Sequence, residues 1–338
     1  MDGAGCAGKK RGQHGTHLRA IGAEGAVSPR YAGCLTRAYL PLLLLLAAIW
    51  GASYLFIKVA VDDFEPATMM LARLVIASSL LVPFLVLRNG LGTSAAELRR
   101  AWRPGLVLGV INAALPFTLI AWGEKQVDSG VAAIANATVP IFVTLLAIRF
   151  KQTERATGGR LVGIVVGLVG VAILAGGQPD VGLWTVLGTL AVVLASLSYA
   201  VSQLYGQLRV SEAGGAVLAA ASMLAGALVL LPFGLATLPH EVPGWQAIAS
   251  VLALSVLGTA LAQLILFRML RLHGASRVSL VTYLMPAMAV FYGAVLLGEP
   301  VTAGVAGGLV LVLAGVALGS GAIRLPRRRE VRAATPQP

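Results

Sequence analysis

The sequence predicts an all-α integral membrane protein of ten transmembrane helices arranged as two inverted five-helix repeats. Three observations predict it: continuous apolar runs, basic residues confined to alternate connections, and a residue pattern that recurs at an offset of about 145. Hydrophobic residues make up 57% of the chain and charged residues 12%. That charged share is about half the average for a soluble domain, so water is not the main solvent. The net charge of +12 would suit nucleic acid if it formed a basic face interleaved with aromatics. Here it lies in short segments between apolar runs, where it sets membrane orientation, so the reading includes a lipid bilayer and no nucleic acid as partners.

Taken in order, residues 1–37 are rich in Gly, Ala, Lys and Arg, show no apolar periodicity, and read as a flexible cytoplasmic leader. The run 39–57 is too long for a signal-peptide core and no small-residue cleavage site follows it, so it is the first span. The other spans are 66–87, 104–123, 129–148, 158–177, 181–206, 214–237, 246–267, 277–297 and 300–323, followed by a basic cytoplasmic tail over 324–338. Runs that are continuous and not alternating favour helices over a barrel, and each is about the 20 residues needed to cross the hydrocarbon core. Of the 26 basic residues, 23 fall on one side of this arrangement, Lys125 alone falls on the other, and Lys58 and Arg73 lie within spans. The positive-inside rule then puts both termini in the cytoplasm of a multi-pass cell-membrane protein, which demands an even number of spans. Cys6 and Cys34 precede the first span on the reducing side, and His14 and His17 sit in the leader, so neither a disulfide nor a metal or other cofactor is expected.

The two halves, 38–177 and 178–323, repeat one another. Ser53-Tyr54 matches Ser198-Tyr199, and Gly163 and Gly170 match Gly308 and Gly315, all at an offset of 145. Glu154 matches Glu299 at that same offset, and Pro83-Phe84 corresponds to Pro232-Phe233 and Pro140 to Pro286 after small shifts. Five spans per half is an odd number, so the second half enters the membrane from the opposite side, the arrangement that supports alternating access.

With these residues in view, the chain resembles the EamA-like branch of the drug/metabolite transporter superfamily. The resemblance rests on Trp50-Gly51-Ala-Ser53-Tyr54 with Lys58, on Pro66 and Arg73, and on Pro140 and Pro286, each followed by an acid at the next helix start. Thr153 departs from the pattern, standing where Gly298 precedes the second acid. The resemblance implies an exporter of small metabolites whose cavity is lined by helices 1, 3, 4, 6, 8 and 9. A monomer or homodimer is expected, because ten spans suffice to enclose a complete pathway in one chain.

Ionisable groups within the membrane are the first candidates for function. Lys58 is close enough to a span end for its stem to carry the ammonium to the headgroups. Arg73 lies deeper; it contacts substrate, or is tethered to Glu124 or to helix-end carbonyls. All 14 acidic residues are placed in loops or at span ends, so no obvious proton-coupling carboxylate is seen and facilitated export competes with antiport. Glu154 and Glu299 are expected to complement the positive ends of the helices they open. Candidate substrate-binding side chains are Trp50, Ser53, Tyr54, Asn112, Trp122, Asn136, Thr138, Ser198, Tyr199, Gln203, Gln263, Thr282 and Tyr283, with Arg73; helix-to-helix hydrogen bonding is the alternative for each. Pro140 and Pro286 are expected to kink their helices. Gly159, Gly163 and Gly167, and Gly304 and Gly308, have the spacing of close helix packing. Asp62-Asp63-Phe64-Glu65 reads as a solvated turn.

The leading expectation is an exporter of amino acids or related small metabolites, with a toxic-compound efflux pump as the alternative. A membrane enzyme is disfavoured, since no nucleophile with its base and no paired acids are present.

Overall fold

The computed structural model describes residues 29–150, 158–176 and 182–319. Cys6, His14, His17, Glu154 and the 324–338 tail lie outside the described residues. The chain divides into Met1–Ala38 and Tyr39–Pro338, and the second unit builds the helical bundle. All described regular structure is helical.

The apolar segments are α1 (Pro29–Ala60), α2 (Pro66–Asn89), α3 (Trp102–Glu124), α4 (Ser129–Asn136 continuing as Val139–Phe150), α5 (Gly158–Gly176), α6 (Leu183–Ala213), α7 (Gly215–Ala236), α8 (Trp245–His273), α9 (Val281–Leu297) and α10 (Ala303–Gly319). Among the described residues seven of these are long and apolar enough to cross a membrane; the apolar parts of α5, α9 and α10 are shorter. The described part of α1 begins at Pro29, ahead of the apolar run. Pro66 opens α2, since proline at a helix start has its backbone angle preset and loses no hydrogen bond, and Gly90 and Gly274 stop α2 and α8 with φ of 85° and 77°, a backbone conformation costly for other residues.

One basic connection is itself ordered. Leu91–Arg100 forms a helix with its polar and apolar residues on separate faces, and Ser94 anchors it by donating to the Leu85 carbonyl at 3.0 Å.

The two expected kinks differ in form. In α4 the helix breaks at Ala137–Thr138, just before Pro140, whose missing N–H and bulky ring leave the Asn136 carbonyl without its helical donor. Pro286 stays inside a continuous stretch of α9, Val281–Tyr292, and the helical interruption comes earlier, at Ser279–Leu280. Three helices also carry wider π-helical turns: Gly109–Ala114 in α3, Val256–Leu261 in α8 and Gly293–Leu297 in α9. Such turns displace the helical register and recur at functional sites.

Helices α5 and α10 lie along each other through glycines. A methyl group on Gly315 would collide with the backbone of Gly167, and one on Gly170 would meet the Val312 nitrogen at 2.8 Å. The expected small-residue seam is present at Gly163, Gly167 and Gly308, and it continues to Gly170 and Gly315. Helix α7 closes on α2 and α3 in similar fashion, with Gly226 against Gly109 and Gly234 against Leu71.

The outer surface of the bundle is apolar: Leu44, Leu45, Val165, Leu228, Phe233 and Val310 are all exposed. A continuous belt of this kind on a water-soluble protein would drive aggregation, and it is what a lipid-facing surface needs. At one end of the bundle, Asp63 accepts from the Gly244 N–H at 2.6 Å and Lys125 pairs with Glu65 at 2.8 Å. At this acidic end Asp62, Asp63 and Glu65 are exposed, as a solvated turn requires.

Candidate functional site

Two connected clusters occupy the interior. The first is built around Arg73, which is 6% exposed. Its Nε donates to Thr259 Oγ1 at 2.8 Å, its Nη1 lies 3.8 Å from Met70 Sδ, and its guanidinium carbon sits 3.8 Å above the Phe117 ring centre. Thr259 belongs to the π turn of α8, and its hydroxyl donates in turn to the Leu254 carbonyl at 3.1 Å. The Phe117 ring meets that of Tyr199 at 6.4 Å between centres. Arg73 forms no ion pair among the described residues, so of its five donors only the Nε one has a strong acceptor. Neither tether expected for it, Glu124 or helix-end carbonyls, is formed.

Asn136 organises the second cluster, at the break in α4. Its Nδ2 donates to the Tyr54 hydroxyl at 2.7 Å, and its Oδ1 accepts from Ser196 Oγ at 3.1 Å, joining α1, α4 and α6. Tyr54 and Tyr199, the repeat-related pair, are close enough to act on each other electrostatically, and Tyr54 also feels the charges of Arg73 and Glu124. The two clusters thus meet between the tyrosines.

Other expected site residues are spread around this centre. Ser198 donates to the Ile111 carbonyl at 2.7 Å, beside the π turn of α3, and Asn112 in that turn accepts from Ser202 at 2.9 Å. Ser53 returns its hydroxyl to the Ile49 carbonyl and packs on Gly258 in the π turn of α8. Thr138 is fully buried and caps the break in α4 through the Ala135 carbonyl. Trp50 and Tyr283 are half-buried against the core, and Trp122 and Gln263 are also half-buried. Thr282 bonds the Ser279 carbonyl of its own segment, and Gln203 is exposed, so neither joins the central clusters.

Towards the acidic end the roles of two ionisable groups change. Lys58, expected to reach for the headgroups, instead donates to the Glu124 and Val127 carbonyls at 2.8 and 2.9 Å. It covers the open carbonyls at the end of α3, where a cation also complements the helix dipole. Glu299, expected to serve the helix it opens, instead caps α4. It accepts from Ser129 N at 2.8 Å, Ser129 Oγ at 2.8 Å and Gly130 N at 3.2 Å. The space for its carboxylate exists because residue 293 is glycine: a side chain there would strike Glu299 and come within 2.8 Å of Ser129 Oγ. The start of α10 is capped by Thr302, whose Oγ1 accepts from Val305 N at 3.2 Å. Half-buried Asp128 has its carboxyl pushed up by burial and then by the negative Glu299, with Lys58 pulling the other way. A small cleft lined by Asp128, Gly130, Val131, Val290, Glu299 and Pro300 opens here. Glu124, in the last turn of α3, is 0% exposed and neither carboxyl oxygen has a hydrogen-bond partner.

The model of the EamA-like transporter family matches residues 37–176 and again 186–320. The chain belongs to the EamA-like transporter family. Relatives of this EamA-like chain include an uncharacterized inner membrane transporter of Escherichia coli (strain K12), YedA, 30% identical over 78% of this chain and 85% of its own. A probable terminal-alkyne amino-acid exporter of Streptantibioticus cattleyicolor is 32% identical over 85% of this chain and 92% of its own. An uncharacterized transporter of Archaeoglobus fulgidus is 26% identical over 81% and 96%. A crystal structure superposes with a TM-score of 0.60 at 17% identity, covering 85% of this chain and 97% of that one, which is a likeness of fold alone. This EamA-like chain is accordingly a multi-pass membrane protein of a transporter family.

Three residues of the centre, Phe117, Ser196 and Thr259, are absent from the sequence-based candidates, as is Glu124 at the acidic end. Phe117 and Ser196 carry no local signal, being an ordinary aromatic and a small hydroxyl in apolar runs. Thr259 was findable only through its correspondence with Asn112, since the two lie in the π turns of α3 and α8.

Proposed function

We propose that this transporter exports amino acids or related small metabolites across the cytoplasmic membrane. Two inverted five-helix repeats alternate access to a central site, and Arg73 anchors the substrate carboxylate. One observation carries this reading: a guanidinium buried in the middle of the bundle without a counter-ion. Burying an unpaired charge is expensive, and a ligand carboxylate that arrives with its own charge relieves the cost and uses the guanidinium fork bidentately. Tyr54, Asn136 and Tyr199 supply hydroxyl and amide groups beside it, with Phe117 and the apolar wall for a side chain. The separate family matches to the two halves support the repeat, and the 32% identical relative supports the substrate class. The charge asymmetry of the connections orients both termini to the cytoplasm, with the acidic end outward. Because one chain supplies both halves, a monomer encloses the whole pathway.

Efflux of cationic toxic compounds is the second reading, and Glu124 is the observation in its favour, since a buried acid can pair with such a cargo. Arg73 opposes it, acting on the same Tyr54 as Glu124 does. Metabolite profiling of the medium of overproducing cells separates the two. Amino acids released faster with wild-type protein but not with Arg73→Ala support the proposal. Enhanced tolerance of cationic dyes with no change in amino-acid release would overturn it.

A further inference from the structure

Glu124 has no task in the fold. Its main-chain oxygen is used by Lys58, and its neighbour Gly123 packs on Gly188 and Val192 of α6. Its carboxyl group holds nothing: it is fully enclosed and both oxygens lack a partner. Enclosing a carboxyl without hydrogen bonds is unfavourable even in its neutral form, and far more so when ionised. A site kept at that cost has a ligand.

The surroundings restrict what the ligand is. The charges acting on Glu124 are Lys58 from α1, Glu299 from the segment before α10 and Arg73 from α2. Tyr54 of α1 lies within its field, and Asp128 precedes α4 four residues along the chain. Lys125, the next residue, is taken by Glu65. A sodium ion or larger metal needs several oxygen ligands, yet the Glu299 carboxylate is committed to α4 and the carbonyls of Glu124 and Val127 to Lys58. A proton needs one oxygen and no further coordination. The cleft lined by Asp128 and Glu299 lies at the same end of the bundle as Glu124, and Asp128 is four residues from it in the chain.

We infer that Glu124 is the proton site of the transport cycle, loaded through the cleft at the acidic end and unloaded on the opposite side as substrate is taken up. This rests on the proposed transport function and adds its energy source. An O–H bond forms on the Glu124 carboxylate with a proton from water at the acidic end. The same bond breaks when the reoriented site opens to the cytoplasm, the proton leaving to water there. Substrate and proton thus cross in opposite directions, and Arg73 links them, since its charge acts on Glu124 and a bound substrate carboxylate changes that charge.

The test uses the full chain in liposomes with radiolabelled L-threonine, L-methionine and L-phenylalanine, measuring exchange without a pH gradient and uptake into vesicles with an acidic interior. One-for-one antiport predicts up to about tenfold accumulation per unit of pH gradient. Glu124→Gln, nearly the same shape, should lose gradient-driven accumulation while keeping exchange within about twofold of wild type. Glu124→Asp, which restores an ionisable group, should regain part of the gradient response and shift its pH profile. Infrared titration of purified protein in lipid gives a readout free of substrate: a carboxylic-acid band present in wild type and missing in Glu124→Gln. Exchange that ignores the gradient in wild type, or a gradient response retained in Glu124→Gln, would overturn the proton site and leave the transporter reading standing. Movement of none of the three amino acids would overturn the amino-acid reading, and with it this inference.

Discussion

The two halves of the chain are matched separately by one family model, yet they hold different chemistry. At the offset of the Ser-Tyr pairs, Lys58 of the first half corresponds to Gln203 in the second, and at the offset of the Pro-Phe pairs Arg73 corresponds to Ser222. Glu124 is enclosed, whereas Arg271, at the offset of the π turns in α3 and α8, is exposed. What the halves share is mechanical: a proline inside α2 and α7, π turns in α3 and α8, glycines where α5 meets α10. The features in common are those of helix shape and packing, and the features that differ are those of charge. Charge is kept in one copy because two guanidinium groups in one dry site would repel each other and a single carboxylate could satisfy only one.

The comparison is broken most sharply by substitution at paired positions. Arg73→Ala should slow amino-acid efflux on the order of a hundredfold, the scale of losing one partner of a buried charge pair, while Ser222→Ala should change it by less than about twofold. Equal effects in radiolabelled efflux assays would mean that the asymmetry is not where binding resides.

The shared mechanical features should show up as stability. Gly315→Val inserts atoms into the backbone of Gly167 and should destabilise by about 1 to 3 kcal/mol, read as a lower midpoint of thermal unfolding in detergent. Gly176→Val meets nothing within 4 Å and serves as the neutral control.

A smaller effect is expected at the contact between halves. Glu299→Ala removes the cap of α4 and should cost about 1 kcal/mol, whereas removing Thr302 Oγ1 by Thr302→Val affects only the start of α10 within its own half. If Glu299→Ala left the unfolding midpoint unchanged, the contact would not be holding the halves together.

The smallest change is at Asp128. Because its carboxyl is pushed up in the folded protein, the native state favours the acid form. The contribution to stability is therefore present in acid and lost as pH rises through the raised value. Asp128→Asn should unfold later than wild type at neutral pH and show no advantage below the ordinary aspartate range, as parallel melts at the two pH values would reveal.

Much of this molecule is written in its composition. Apolar runs of span length, the confinement of Lys and Arg to alternate connections, the recurring Ser-Tyr and Gly positions and the two prolines follow from local chemistry, so they were legible without coordinates. Arg73, Tyr54, Tyr199 and Asn136 were also legible as polar groups in apolar surroundings.

Partner choice was not legible. Glu299 serves a helix start 170 positions away in the chain, Arg73 reaches 186 positions to Thr259, and Lys58 takes main-chain oxygens instead of headgroups. Glu124, at a span end by sequence, is enclosed because other helices close over it. Local residues determine which segments are helical and buried in lipid, because backbone hydrogen bonds and apolar transfer act over one or a few turns. Which polar side chains meet depends on the rotation and depth of each helix against its neighbours, and only the packed bundle decides that.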